Sequence, residues 1–197
     1  EDELKILRVI RRIKESSPAI IKSTFLGAHA VGRAYAGRQE DYVKLVCEEM
    51  VPAVSAEGLA DFIDVFCEEN FFTPEQTDRI LSAGEKYGMR AKLHANQLAV
   101  SGGVQVGVKH NALSVDHLES TTDDEIRSLA EAPDTMPTML PGASFFLRMQ
   151  YGKALDFINS GLGLALASDY NPGSSPCGDM RFVMSLGCIQ MLSLIHI

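Results

Sequence analysis

Apolar residues recur along this chain in two alternating registers. Short continuous runs, of the kind that form strands buried on both faces, occupy residues 22–30 (KSTFLGAHA), 60–67 (ADFIDVFC), 89–95 (MRAKLHA), 112–117 (ALSVDH), 135–140 (TMPTML) and 162–169 (LGLALASD). Between them lie stretches with helical spacing: 1–15, 41–50, 73–87, 103–110, 122–133, 150–160 and 179–190. Two of these carry explicit start signals. Thr73-Pro74-Glu75-Gln76 combines an N-cap Thr, a Pro at the first helical position and a Gln three residues after the cap. Thr122 with Glu125 repeats the capping pattern. The pattern therefore predicts about six strands alternating with helices. Continuous apolar strands in strict alternation with helices indicate a parallel sheet covered by helices.

Six such units fit either an open doubly wound sheet or an incomplete eight-unit barrel. No Gly-x-Gly-x-x-Gly follows the first strand, so a dinucleotide fold lacks its best signal. Residue types that carry chemistry fall at nearly every strand end, which favours the barrel, where chemistry gathers at the carboxyl ends of the strands. The expected fold is α/β, a (β/α)8 TIM-type barrel represented by about six of its eight units.

Those strand ends hold His29, His94, His117 and Asp169. His94 opens His94-Ala-Asn-Gln97, so Gln97 can face the same mouth. His117 lies in Val115-Asp-His-Leu-Glu119, with acids on both sides able to orient the ring. A carboxylate closing Leu-Ala-Leu-Ala-Ser, as Asp169 does, is costly to bury unless it is paired or binds a metal. Each of these has a plainer reading, a buried hydrogen-bonded His or a βα loop punctuated by Pro and Gly. Their shared placement favours a hydrolytic metal site. His110 follows a helix-like stretch and is expected at the surface.

The chain has 197 residues and a net charge of −8, with 46% hydrophobic residues, enough for one sizeable core. The acidic balance, with no basic cluster, argues against nucleic acid or an anionic membrane as partner. No apolar run reaches bilayer-spanning length and no secretory signal is visible, so the expected location is cytoplasmic. Cys47, Cys67, Cys177 and Cys188 are widely spaced without Cys-x-x-Cys and read as reduced thiols. The chain lacks an initiating Met, and 1–15 reads as the middle of an amphipathic helix. Residues 192–197 resemble translated adaptor sequence. The expectation is a fragment whose barrel domain covers 1–191, with a non-native tail at 192–197 that discounts His196 as a ligand.

Gly27-Ala-His29, Leu93-His-Ala-Asn-Gln97, Val115-Asp-His-Leu118 and above all Ala167-Ser-Asp-Tyr-Asn-Pro-Gly-Ser-Ser-Pro176 resemble the imidazolonepropionases, amidohydrolase-superfamily enzymes of histidine degradation. The resemblance runs from about residue 1 to 191 and aligns the six strands with barrel strands three to eight. It implies opening of 4-imidazolone-5-propanoate to N-formimidoyl-L-glutamate with one divalent metal ion, zinc or iron. By the same resemblance His94 and Asp169 are metal ligands, and His117 and Asp169 are catalytic. His29, Gln97, Asn171, Gly173 and Ser174 would contact substrate. Homodimerisation is possible for the full-length protein.

Two departures stand out. The family's His-x-His pair on the first barrel strand is absent here, as is the cationic partner for the propanoate; both are expected ahead of Glu1. Gln97 stands where many members have Glu, and it can hydrogen-bond but not act as a base, which leaves Asp169 as proton acceptor. Lacking these parts, the chain alone is expected to be inactive. The competing readings are another deaminase or cyclic amidohydrolase of the superfamily, and a metal-free α/β protein that binds a small ligand.

Overall fold

The computed structural model describes residues 2–191; the expected tail at 192–197 lies outside the described residues. Six strands form one parallel sheet: β1 Thr24–Ala28, β2 Phe62–Cys67, β3 Arg90–Ala95, β4 Ser114–His117, β5 Met136–Met139 and β6 Ala165–Leu166. They are hydrogen-bonded in sequence order, β1 to β6. Each step moves one strand along in the same direction, so there is no switch point of the kind a doubly wound sheet requires. A flat sheet would separate β1 from β6 by about 24 Å, five gaps of roughly 4.8 Å. Yet residues just after β1 and just after β6 line one cavity of about 270 Å³. The sheet therefore curls, and the fold is six consecutive βα units of a TIM-type barrel.

Helices cover the outer face: α1 Asp2–Ser16, α2 Gln39–Leu45, a π-helical turn Val46–Met50 running into α3 Val51–Ala56, α4 Pro74–Glu85, α5 Gly103–Lys109, α6 Asp123–Ala130, α7 Pro141–Leu147, α8 Ala154–Asn159 and α9 Met180–Gln190. Both capping boxes form as the sequence dictates, Thr73 with Gln76 and Thr122 with Glu125. Strand alternation sorts the side chains. Ile63, Val65 and Cys67 of β2, and Ala91, Leu93 and Ala95 of β3, join the apolar core under the helices. The intervening residues, Asp64 and Phe66 on β2 and Lys92 and His94 on β3, face the barrel axis. Helix α5 comes so close to the sheet that a Cβ on Gly107 would lie 2.6 Å from Val115 Cγ2.

The structure corrects several local expectations. No helix is expected between 140 and 150, yet Pro141-Gly142 opens α7, with Pro at the first helical turn, where the missing N–H costs nothing. The helix expected from 150 begins only at Ala154. The one expected over 41–50 extends through a π turn to Ala56. The last strand shrinks from 162–169 to two residues, since β6 pairs only with β5 among the described residues. Asp169 consequently sits in the loop beyond it. His110 is not a surface side chain: only 6% of it is exposed. Its ring lies between two carboxylates of α4, with Nδ1 2.9 Å from Glu85 Oε1 and Nε2 2.8 Å from Asp78 Oδ1. All four cysteines are free. Among the described residues, no helix is long and apolar enough to cross a membrane.

Candidate active site

The cavity at the carboxyl ends of the strands is lined by His29, Phe66, His94, Gln97, His117, Asp169, Asn171, Gly173 and Ser174. Every site residue expected from the sequence reaches it. A hollow of about 440 Å³ near α6 and α8 is lined by helix residues such as Asp123, Arg127 and Asp156 and lies away from the strand ends.

His94 is the best-anchored member. Its Nδ1 lies 3.0 Å from Asp64 Oδ1, and its backbone N–H donates to the same oxygen at 3.2 Å. With Nδ1 protonated by this contact, Nε2 is the ring nitrogen left for the cavity. Burial opposes charging the ring, but Asp64, with Asp116 and Asp169, outweighs it and raises His94 to about 9. Burial likewise disfavours a charged Asp64, yet His94 and Lys92 hold its carboxyl below the ordinary range. At the cavity rim, His29 stacks on Phe66 with ring centroids 5.2 Å apart. Burial and the neighbouring His94 pull His29 below the usual imidazole value.

His117 occupies the cavity by a backbone manoeuvre. Val115 faces the helices, so strict alternation would send His117 the same way. Instead His117 has φ +89° and Leu118 φ +64°. The ring turns to within 5.4 Å of His94, centroid to centroid, and Leu118 takes the core position, fully buried. Such conformations cost of order 1–3 kcal/mol in a non-glycine residue and persist where the surroundings enforce them. Behind the ring, Nδ1 faces Glu119 Oε2 at 3.5 Å, and both atoms are buried without a hydrogen-bond partner. Glu119 Oε1 accepts a hydrogen bond from Ser144 Oγ at 3.0 Å.

Asp169 also has positive φ, +49°. The loop that follows is self-bonded. Asn171 Oδ1 accepts from the Gly173 and Ser174 N–H groups, both at 2.8 Å, and its Nδ2 donates to the Asp169 carbonyl at 2.7 Å. Ser174 Oγ donates to Asp169 Oδ2 at 3.3 Å. The amides of this loop are thus turned onto Asn171, and the loop's clearest physical role is to hold Asp169 at the cavity wall.

Sequence reasoning missed Asp64, Phe66 and Lys92. Asp64, His94 and Asp116 each offer a ligand atom within 4.8 Å of the others. That trio is nevertheless a poor ion site. Lys92 Nζ already lies 2.9 Å from Asp116 Oδ2 and 2.6 Å from Ser114 Oγ, and Asp64 is committed to His94 Nδ1. The arrangement reads better as the support beneath His94. The signal for Asp64 was available, as the one charged residue within the apolar run Phe62–Cys67.

No family model matches the chain. Imidazolonepropionase of Flavobacterium psychrophilum is 47% identical over 191 residues, covering 97% of this chain and 46% of that protein. The Christiangramia forsetii protein of the same name is 48% identical over 189 residues, covering 96% and 46%. That of Pseudomonas aeruginosa is 43% identical over 187 residues, covering 94% and 46%. Among solved structures, guanine deaminase of C. acetobutylicum with bound guanine superposes with TM-score 0.67 at 13% identity, over 94% of this chain and 47% of that one. An adenosine deaminase of Xanthomonas campestris with bound zinc gives 0.66 at 14%, over 95% and 45%. These structures share the barrel fold. The chain spans about half the length of the curated relatives it matches; over that half it is similar in sequence to imidazolonepropionases, and its fold is the barrel of these solved structures.

Proposed function

We propose that the protein to which this chain belongs is a metal-dependent hydrolase of a cyclic amide, opening 4-imidazolone-5-propanoate to N-formimidoyl-L-glutamate. The observation that carries the proposal is the convergence of His29, His94, Gln97, His117 and Asp169 on one strand-end cavity, in a chain 47% identical to imidazolonepropionase.

The donor set fits a divalent ion. His94 offers Nε2, releasing the proton it carries there as the ion binds, with a carboxylate behind Nδ1 as metal-binding histidines commonly have. Asp169 offers a carboxylate oxygen on the wall of the same cavity. Zinc takes about four ligands, so the remaining protein donors would come from the half of the relatives' length that this chain does not span. Zinc and iron both accept such nitrogen and oxygen donors. When bound, the ion supplies Lewis-acid activation of water and of the ring carbonyl.

The chain's own groups do the rest. Asp169 accepts a proton from the attacking water and returns it to the departing ring nitrogen. Ser174 Oγ, donating to Asp169 Oδ2, holds the carboxylate in place. His117 hydrogen-bonds the carbonyl oxygen as it becomes negative, a preorganised contact of the oxyanion-hole kind. Gln97 hydrogen-bonds the substrate ring, and His29 closes the rim. The test is an assay of the full-length protein on imidazolone propanoate, guanine and adenosine. Ring opening of the first alone supports the assignment; deamination of a base without ring opening refutes it.

A further inference from the structure

We propose that Asp64 is a positioning residue for His94, fixing the ring so that Nδ1 carries the proton and Nε2 is delivered to the ion. This rests on the functional reading above only in naming the ion. The contact itself is independent of it.

Three features of the geometry support the role. Asp64 Oδ1 receives both the backbone N–H and the ring Nδ1 of His94, at 3.2 and 3.0 Å. The carboxylate thus grips one residue at two points, which fixes the ring plane as well as its tautomer. Asp64 is 2% exposed, so water does not compete for that oxygen. Being acceptor-only when ionised, it admits only a protonated Nδ1.

The neighbouring charges keep the assignment unambiguous. Asp116, the other carboxylate facing the axis beside His94, is held by Lys92 at 2.9 Å. Asp64 and His94 therefore pair with one another, and Lys92 and Asp116 do the same one step along the sheet. The carboxylate comes from β2, the ring from β3 and the second pair from β3 and β4. The barrel wall itself sets the orientation. Orienting partners of this kind change metal affinity by roughly 10- to 100-fold.

The experiment uses the full-length protein with Asp64→Asn and Asp64→Leu. Two quantities are read: zinc affinity by chelator competition, and the His94 Nδ1–H proton resonance in the metal-free protein. The wild type is expected to show a slowly exchanging low-field Nδ1–H line. Asp64→Asn keeps an acceptor but loses the charge, so the line moves upfield and zinc binding weakens about tenfold. Asp64→Leu removes both, and the line disappears with a loss nearer a hundredfold. Wild-type affinity or an unshifted line in Asp64→Leu overturns the positioning role. Should that variant fail to fold, an unchanged line and affinity in Asp64→Asn overturn it equally. A wild-type protein that shows the line but neither binds zinc nor opens the ring removes the functional reading, and with it the ion from this proposal.

Discussion

Replacing His117 by Ala and by Gly separates the cost of its backbone from the value of its side chain. Both substitutions remove the same imidazole and leave the same Glu119 carboxylate behind, so those losses cancel in the comparison. In an ordinary strand Ala is more stable than Gly by roughly 0.5–1 kcal/mol, because Gly loses more conformational freedom on folding. At His117 φ is +89°, where an L-residue is strained by about 1–2 kcal/mol and Gly is not. Setting the strain against the entropy removes Ala's ordinary advantage and leaves Gly ahead by up to about 1.5 kcal/mol. Urea unfolding of the two variants, with equal slopes, reads the difference directly as a shift in midpoint. Ala more stable than Gly would show that residue 117 has ordinary strand geometry, and the account of how its ring reaches the cavity would fall.

Asp61 joins the end of α1 to the start of the sheet, accepting from Lys14 Nζ at 2.6 Å and the Ser23 N–H at 2.8 Å. Burial opposes its ionisation, but these donors hold its carboxyl well below the usual range. Its stabilisation is therefore complete above the unfolded value near 4 and is lost as pH falls toward the depressed folded value. Asp61→Asn should cost about 1.5–3 kcal/mol at pH 7, from charge-assisted hydrogen bonds, and progressively less below pH 4 in acid-range unfolding curves. Gly107→Ala places a methyl 2.6 Å from Val115 Cγ2 and should destabilise by about 1–3 kcal/mol through overpacking, read by thermal denaturation. Full stability would mean α5 can step back from the sheet. His110→Leu leaves Asp78 and Glu85 without their shared partner and should lower the unfolding midpoint, whereas a neutral result would show the contact to be incidental. Asp169→Asn in the full-length protein should reduce turnover by about 10²–10⁴-fold, with folding retained by circular dichroism.

The strand–helix alternation was legible because both faces of each strand are covered, which forces continuous apolar runs. The two capping boxes were legible because their chemistry is local. Helix α7 was not legible: Pro opens a helix as readily as it ends a strand, and only the chain beyond Pro141 decides. The cavity histidines were legible as strand-end residues, but how His117 reaches the cavity was not. Alternation from Val115 points its ring outward, and the positive φ at 117 and 118 that reverses it is set by tertiary packing of Leu118 into the core. Asp64 was visible as a charge in an apolar run, but its pairing with His94 was not. It lies mid-strand, where its partner His94 is thirty residues away in sequence and adjacent only once β2 and β3 pair. His110 looked like a helix-end surface residue because Asp78 and Glu85 approach it from another helix.

The most direct test is the anomalous-scattering position of zinc in crystals of the full-length protein. The ion is predicted within about 2.0–2.2 Å of both His94 Nε2 and an Asp169 carboxylate oxygen, with Asp64 behind the ring and outside bonding distance. Zinc seated between Asp64 and Asp116, or bound away from the strand-end cavity, would contradict the account.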